Sequence, residues 1–336
     1  MLVTILFVGL IVAALALHAF YIIFKRLKCS FKDKSVIITG GSKGIGKCIA
    51  IEMAKEGALS IVIMARRINE LKEAKAEIER NCVSKKTKVV AVSCDVTDKI
   101  KVKEAIDSLK TEHGVDRIDS LFLVHGAAIP GYFVEQDEKD FEFQMNLNYF
   151  GSLYVTKAVL PHIMRNPLHK NDKHIVFVSS AICLCTFIGY SSYAPTKFAV
   201  RGLAESLESE LQGHGIKVHL SIPSDTDTEG FGNENLTKPK ETLEISGAVK
   251  LEQPSQPAKA IIRDIKKNKF WLFDSFDFEL LVAIGQGITP RGCPFLSIVY
   301  GIIGIIASYF INFQFTSISY KHAKERETRF NSFWNK

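Results

Sequence analysis

The sequence predicts an α/β fold in which a parallel sheet carries helices on both faces. Between residues 33 and 273, short runs rich in β-branched residues alternate with longer charged stretches of helical period. A glycine-rich turn, TGGSKGIG at residues 39–46, joins the first run to the first helical stretch. Hydrophobic residues make up 47% of the 336 residues, which is enough to build the large core that such a sheet needs.

Predicted strands and helices alternate regularly along the middle of the chain. The strands are Val36–Thr39, Leu59–Met64, Lys88–Ser93, Ser120–Val124, His174–Val178, Lys217–Ile222 and Phe270–Phe273. The helical stretches include Asn69–Arg80, Asp98–His113, Glu138–Met164, Ser192–Gln212 and Gln256–Lys267. Sheets of this kind bind ligands beyond the carboxyl ends of their strands, so we expect the functional residues in the loops that follow the strands.

The glycine turn is the first candidate site. Gly40, Gly44 and Gly46 have the spacing G-x3-G-x-G. Glycines also serve ordinary tight turns, but a turn between a strand and a helix lets backbone N–H groups approach a pyrophosphate at the helix N-terminus. The residues expected to bind a dinucleotide here are Gly40, Ser42, Lys43, Gly44, Ile45 and Gly46.

Basic residues favour NADPH as the dinucleotide. The second strand runs into Arg66 and Arg67, without the carboxylate that usually binds the ribose 2′-hydroxyl of NAD. Together with Lys43, these arginines could bind a 2′-phosphate, or each could be a solvated loop charge. Asp95, after the third strand, could accept a hydrogen bond from the adenine amino group or cap the next helix.

Tyr193 and Lys197 form a candidate acid–base pair. Their spacing of four residues places them on one face of the predicted helix. A nearby ammonium lowers the pKa of a phenol, so Tyr193 could give a proton to a carbonyl oxygen as hydride reaches the carbon. Ser180 follows the fifth strand and could bind the same oxygen, or simply end the strand.

Both ends of the chain contain long apolar segments. Residues 1–24 are long enough to cross a bilayer, and the cationic residues 25–28 that follow place the rest of the chain in the cytosol. Residues 295–315 form a second segment of span length, for which a membrane hairpin or span is favoured over core or substrate-pocket helices. The predicted division is an anchor at 1–24, a catalytic domain at 25–273, and a membrane-associated segment with a basic tail at 274–336.

Composition argues against two classes of site. A net charge of +7 is mild for this length and does not indicate nucleic-acid binding. The seven cysteines are scattered, without the spacing of a zinc site, so no metal site is predicted. We interpret them as reduced thiols in a cytosolic environment.

Taken together, these motifs resemble the short-chain dehydrogenase/reductase family from about residue 33 to residue 270. The resemblance rests on the glycine turn, Asp95, Asn148 in MNLNYFG, Ser180 and Tyr193-x3-Lys197. It implies a seven-stranded, doubly wound Rossmann sheet. It also implies that Tyr193 is the general acid, that Ser180 positions the substrate carbonyl, and that Lys197 holds the nicotinamide ribose and lowers the tyrosine pKa.

The resemblance assigns further roles by analogy. Asn148 would hold a water that relays protons to the lysine, and Thr226 and Thr228 would contact the cofactor amide. Family members often pair through two of their helices, which implies a homo-oligomer. The sequence departs from the family where Asn-Asn-Ala-Gly usually follows the fourth strand, since residues 124–128 read VHGAA. His125 could replace the missing polar function or simply pack.

The stretch PSDTDTEGFGNENLTKPKET, residues 223–242, indicates a substrate class because it resembles the members of this family that reduce 3-ketosphinganine. We therefore expect NADPH-dependent reduction of this long-chain sphingoid ketone at the cytosolic face of the endoplasmic reticulum membrane, in contact with membrane lipid. Alternatives are an anchored hydroxysteroid or retinoid oxidoreductase of the same family and a non-catalytic dinucleotide-binding protein. Asp225, Asp227 and Glu229 could face the substrate ammonium, although capping of a lid helix is favoured.

Overall fold

The computed structural model describes residues 29–165, 173–247, 251–285 and 313–334, together with residues 9 and 310. The predicted anchor at 1–24, apart from Gly9, lies outside these residues, as does most of the apolar segment 295–315. Within the described part of the chain, no helix combines the length and the apolar character needed to cross a bilayer.

Seven parallel strands form one sheet, as the sequence predicts. The strands are β1 Ser35–Thr39, β2 Ser60–Ala65, β3 Lys88–Ser93, β4 Ser120–Leu123, β5 Lys173–Val178, β6 Ile216–Ile222 and β7 Trp271–Phe273. Their order across the sheet is β3-β2-β1-β4-β5-β6-β7, and every neighbouring pair is parallel. The order reverses between β1 and β4, which leaves a ligand-binding crevice beyond their carboxyl ends.

Helices connect the strands and cover both faces of the sheet. They are α1 Gly44–Lys55, α2 Ile68–Arg80, α3 Lys99–Thr111, α4 Glu138–Met145, α5 Gly151–Arg165, α6 Ala194–Leu211, α7 Glu229–Asn235, α8 Lys240–Ser246, α9 Ser255–Ile265, α10 Phe276–Gly285 and α11 Ala323–Trp334. One apolar cluster lies between the sheet and α3, α5 and α6, and a second lies between the sheet and α1, α2 and α9. The strands β1, β2, β4 and β5 are almost wholly buried, as expected for the middle of a sheet covered on both faces.

The stretch Glu138–Met164, predicted as one helical region, consists of two helices. A π-helical turn, Asn146–Phe150, separates α4 from α5. A π-turn adds about one residue per turn to the helix, so the apolar pattern hardly changes and does not reveal the interruption. Turns of this kind occur frequently at functional sites, and this one carries Asn148.

The last described helix, α11, forms an ion pair with α8. Arg326 of α11 lies 2.7 Å from Glu241 of α8, and the Glu241 side chain is fully buried. Tyr132 donates a second hydrogen bond to the same carboxylate, with 2.7 Å between the oxygens. The chain that follows the predicted apolar segment therefore contacts α8 directly.

Two buried histidines join β5 to β6. His174 Nδ1 lies 3.0 Å from His219 Nε2, and His219 Nδ1 donates to the carbonyl oxygen of Lys269 at 2.6 Å. Burial lowers the pKa of His174 well below its usual value and lowers the pKa of His219 to about 4. Both side chains are therefore neutral in the folded protein near neutral pH.

We expect the free energy of unfolding to fall as the pH is lowered from 7 to 5. Histidines with a pKa near 6.5 in the unfolded chain take up protons in this range, whereas His174 and His219 in the folded chain do not, so acid favours unfolding. Each histidine can add a slope of up to about 1.4 kcal/mol per pH unit. Urea unfolding at pH 7, 6 and 5 measures this slope. His219→Gln should flatten it, and His214→Asn, at an exposed position, should not; an equal slope in all three proteins would contradict the prediction.

Candidate functional site

A cavity of about 410 Å³ opens beyond the carboxyl ends of β4, β5 and β6. Its walls come from four places: the residues after these strands, Ile45 in the glycine turn, Tyr193 before α6, and the short helix α7. Side chains from distant parts of the sequence therefore meet at one edge of the sheet. The position agrees with the expectation that ligands bind at the carboxyl ends of the strands.

The glycine turn lies at the end of β1, and at several of its glycines there is no room for a side chain. Gly40 and Gly44 have φ of +65° and +53°, in the left-handed region that favours glycine. A Cβ on Gly46 would lie 2.3 Å from the carbonyl oxygen of Gly40. Lys43 occupies the N-cap position of α1 but makes no capping hydrogen bond with its side chain. The helix N-terminus can therefore accept an anionic group, and the turn fits a dinucleotide pyrophosphate.

The basic residues beside the turn already have acidic partners. Lys43 Nζ lies 2.5 Å from a carboxylate oxygen of Glu229 and 2.9 Å from one of Glu70. Arg67 Nε lies 2.9 Å from the same oxygen of Glu70. The hydrogen bond to Glu229 is the main reason why the pKa of Lys43 is raised. The structure thus brings Lys43 and Arg67 together in an exposed cluster with two carboxylates that the sequence analysis did not pair with them.

Asp95 lies after β3, and its carboxylate is held by Thr97. The charge of Arg66 acts on it as a smaller effect. Burial opposes a lowered pKa, but hydrogen bonds from the N–H and hydroxyl of Thr97, at 3.0 and 2.8 Å, hold the pKa of Asp95 below its usual value. The alternative that Asp95 caps the next helix is wrong. Asp98 is the N-cap of α3 and accepts from the N–H groups of Ile100 and Lys101.

Tyr193, Ser180 and Lys197 meet in the cavity region. Lys197 Nζ lies 5.7 Å from the centre of the Tyr193 ring, and a hydrogen bond joins Ser180 to the Tyr193 side chain. Lys197 is only 4% exposed and donates to the carbonyl oxygen of Val178 at 3.1 Å. Sequence spacing alone predicted the tyrosine–lysine pair, and the fold of β5 supplies the serine.

The pKa values of Tyr193 and Lys197 are both shifted by burial. Burial raises the pKa of Tyr193 above its usual value, the charge of Glu234 raises it further, and the hydrogen bond with Ser180 opposes both. Burial also lowers the pKa of Lys197 to about 8. The net shift of the Tyr193 pKa is therefore upward, opposite to the expected direction, because loss of hydration and the charge of Glu234 outweigh the hydrogen bond with Ser180. Tyr193 keeps its proton at neutral pH, as a proton donor must.

Asn148 is buried in the π-turn, and its side chain binds protein groups. The amide accepts a hydrogen bond from the N–H of Ala127 at 2.9 Å and donates to the carbonyl oxygen of Ala127 at 3.0 Å. It also donates to the hydroxyl of Thr196 at 2.9 Å. Because Thr196 precedes Lys197, Asn148 connects the loop after β4 to the first turn of α6. Its role in holding a water stays a prediction.

The loop after β6 caps the short helix that follows it, as expected for the stretch 225–228. The capping residue is Thr228, which accepts from the N–H of Phe231 at 3.1 Å, and not one of the two aspartates. Asp225 instead lines the cavity, and exposed Asp227 accepts from Gln253. Thr226 and Thr228 also line the cavity. The methyl group of Thr228 limits the space beside Gly44, and Thr226 donates to the carbonyl oxygen of Ser224 at 2.7 Å.

Sequence reasoning missed two residues near the candidate acid. Tyr190 donates a hydrogen bond of 2.6 Å to Glu234, and the rings of Tyr190 and Tyr193 lie 5.7 Å apart. Glu234 lines the cavity and forms an ion pair of 3.0 Å with buried Lys238. Only the packing of α7 over the strand ends brings Glu234 here, so no local sequence signal marks it.

Comparison with known proteins gives consistent similarities. A family model described as short chain dehydrogenase matches residues 34–239. The 3-ketodihydrosphingosine reductase of Dictyostelium discoideum is 41% identical over 310 residues, which cover 88% of this chain and 92% of that protein. The 3-dehydrosphinganine reductase of Danio rerio is 38% identical over 76% of this chain and 75% of its own length. The 3-ketodihydrosphingosine reductase of Bos taurus is 36% identical over 84% and 85%.

A solved structure is similar in fold. A short-chain type dehydrogenase/reductase from Mycobacterium ulcerans superposes with a TM-score of 0.62. The superposition covers 73% of this chain and 88% of that chain, at 22% sequence identity. At this identity the likeness supports the fold alone.

Proposed function

This chain belongs to the short-chain dehydrogenase family and is a nicotinamide-dependent oxidoreductase, and we propose that it reduces 3-ketosphinganine to sphinganine with NADPH. One observation carries the proposal. A half-buried phenol, a hydroxyl and a buried ammonium meet beside a cavity, in a chain that resembles named 3-ketodihydrosphingosine reductases over most of its length. The sphingolipid pathway is the biological setting that this reaction implies.

The arrangement of residues suits reduction of a ketone. Bound NADPH supplies a hydride to the carbonyl carbon. Tyr193 holds a proton on its phenol oxygen and gives it to the ketone oxygen as negative charge grows there. Ser180, hydrogen-bonded to Tyr193, orients the oxygen that receives this proton. The ammonium of Lys197, 5.7 Å from the ring, stabilises the phenolate that remains.

The glycine turn and its basic neighbours support NADPH as the cofactor. The crowding at Gly46 and the uncapped start of α1 suit a pyrophosphate. Lys43 and Arg67 lie side by side where a ribose 2′-phosphate would bind. Their side chains are 45% and 64% exposed, so the ion pairs with Glu70 and Glu229 are weak and a doubly charged phosphate can displace them.

The cavity also suits the amino group of a sphingoid ketone. Asp225 and Glu234 both line the cavity that Tyr193 faces. Two buried ammonium groups are described nearby: Lys238 is paired with Glu234 at 3.0 Å, and Lys197 lies beside Tyr193. The ion pairs of the described residues include none with Asp225, so an ammonium next to the ketone would pair with this carboxylate. Neutral steroids and retinoids have no such group, so this observation favours the amino ketone over them.

The proposal includes attachment to the endoplasmic reticulum membrane with the catalytic domain in the cytosol. The apolar length of residues 1–24 and the cationic residues 25–28 support this orientation. The apolar segment 295–315 and a homo-oligomeric assembly belong to the same proposal. Asn235 lies in a glycosylation sequon, Asn-Leu-Thr, which stays unmodified on the cytosolic side. A glycan on Asn235 in cells would overturn the orientation.

We expect Tyr193→Phe to lower the rate of NADPH oxidation with 3-ketosphinganine by about 10²- to 10⁴-fold, because the general acid is lost. NADPH absorbance with purified protein measures the rate. Tyr154→Phe is the matched control on α5 and should keep the wild-type rate. Equal turnover by the Tyr193→Phe variant would refute the mechanism, and a wild type that reduces steroids but not the sphingoid ketone would refute the substrate.

We expect the double variant Lys43→Ala/Arg67→Ala to raise the KM for NADPH by about tenfold to 100-fold, because it removes two charge-assisted contacts to the 2′-phosphate. The KM for NADH should change less than about twofold, since NADH lacks that phosphate. Lys75→Ala, at an exposed position on α2, is the control. A parallel rise in both KM values would show that the two residues do not recognise the phosphate.

We expect Asp225→Asn to raise the KM for 3-ketosphinganine by about tenfold and to leave the KM for an analogue without the 2-amino group unchanged. Burial raises the pKa of Asp225 to about 6. The carboxyl therefore gains a proton as the pH falls below about 6, and the wild-type KM for the amino ketone should rise there. Asp227→Asn, two residues away and exposed, is the control. An equal effect on both ketones would remove Asp225 from amine recognition.

A further inference from the structure

His125 stands where the family usually has a different polar residue, and it contacts two parts of the site at once. It follows β4 directly, and its Nδ1 lies 2.6 Å from the hydroxyl oxygen of Thr39, the last residue of β1. On the opposite side, the ring donates to the carbonyl oxygen of Leu147 in the π-turn. The imidazole therefore links the end of β1 to the π-turn that carries Asn148.

The neighbouring hydrogen bonds determine which ring nitrogen carries the proton. The hydroxyl of Ser152 donates to the carbonyl oxygen of Asn148 at 2.7 Å, so it can only accept from His125 Nε2, 3.4 Å away. The Leu147 carbonyl is also an acceptor. The hydroxyl of Thr39 has two acceptors within reach, Nδ1 at 2.6 Å and the carbonyl oxygen of Phe122 at 3.3 Å, and we assign its proton to the nearer one. With this assignment Nδ1 accepts and Nε2 carries the proton.

The imidazole contacts the π-turn itself. Gly151 donates its N–H to the carbonyl oxygen of Asn146, five residues earlier. Within this turn, the ring of His125 adds a hydrogen bond to the carbonyl oxygen of Leu147. Gly151 leaves room for the ring, because a Cβ there would lie 3.0 Å from Nε2.

We propose that His125 is a positioning residue: it holds the π-turn in register with the end of β1 and so aligns Asn148 with the first turn of α6. The inference rests on the proposed reductase function. Asn148 in turn donates a hydrogen bond of 2.9 Å to the hydroxyl of Thr196, the residue before Lys197. A Cβ on Gly126 would lie 3.0 Å from the Asn148 side-chain oxygen and 3.4 Å from Lys197 Nζ, so both groups reach the same point.

The charge of the ring agrees with this role. Burial and the positive charge of Lys197 lower the pKa of His125 to about 3. The imidazole is therefore uncharged wherever the enzyme is assayed, and it adds no second cation beside Lys197. A neutral ring that donates from one nitrogen and accepts at the other holds its two partners without changing their charge.

The test compares His125→Leu with His125→Gln in the full chain. Leucine fills the space without a donor, whereas the glutamine amide places an N–H near the position of Nε2. We expect kcat with 3-ketosphinganine to fall about 30- to 100-fold in the leucine variant, with both KM values changed less than about threefold. The pH profile of kcat should also shift, because the surroundings of Lys197 change. Glutamine should restore kcat to within about fivefold of wild type and restore the profile.

Backbone amide exchange of residues 146–152 is a second readout that needs no substrate. It should be faster in the leucine variant and similar to wild type in the glutamine variant. If wild type reduces no ketone, the proposed function fails, and the exchange measurement still decides whether His125 holds the π-turn. Unchanged exchange in a folded leucine variant, or an unchanged kcat and pH profile, would overturn the inference.

If the leucine variant does not fold, Thr39→Val replaces it. Valine keeps the volume of threonine and removes the hydroxyl, which contacts Nδ1 at 2.6 Å and, at the longer distances of 3.3 and 3.2 Å, the carbonyl oxygen of Phe122 and the N–H of Val124. We expect kcat to fall at least about threefold at an unchanged NADPH dissociation constant, because the ring loses its anchor on β1. Wild-type kcat in this variant would overturn the inference.

Discussion

The site depends on an ammonium that is held almost wholly out of water. Lys197 is 4% exposed, and the hydrogen bond described for it goes to the carbonyl oxygen of Val178 rather than to a carboxylate. Burial of a cation in this way is unfavourable, which is why its pKa falls to about 8. It still carries its charge at neutral pH, close to the phenol of Tyr193. The sheet edge, the π-turn and α6 together hold the amine in a position that it would not adopt in a flexible chain.

The same loss of hydration acts in opposite directions on the two members of the pair. It raises the pKa of Tyr193 and lowers that of Lys197, since each shift disfavours the charged form of its group. The result is a protonated phenol beside a cationic amine, which suits proton donation to a ketone. Loss of the proton leaves a phenolate in surroundings that disfavour it, so the nearby ammonium of Lys197 is the group that compensates this charge.

Sequence patterns predicted the parts of this site that depend on local spacing, namely the seven strands, the glycine turn and the Tyr193–Lys197 pair. They did not predict the contacts made by tertiary packing. Glu229 reaches Lys43 across 186 residues, and Glu234 enters the cavity only because α7 packs over the strand ends. The π-turn was hidden because it barely disturbs the helical period. The direction of the tyrosine pKa shift was missed because burial, unlike charge, cannot be read from the spacing of two residues.

The short helix α7 links the two halves of the active site. Glu229 at its first position binds Lys43 beside the glycine turn, whereas Glu234, near its last, lines the cavity next to Asp225. This seven-residue helix therefore contributes one carboxylate beside the glycine turn and another to the cavity. Its placement over the strand ends brings residues 229 and 234, which are adjacent in the chain to neither the turn nor Tyr193, to both parts of the site.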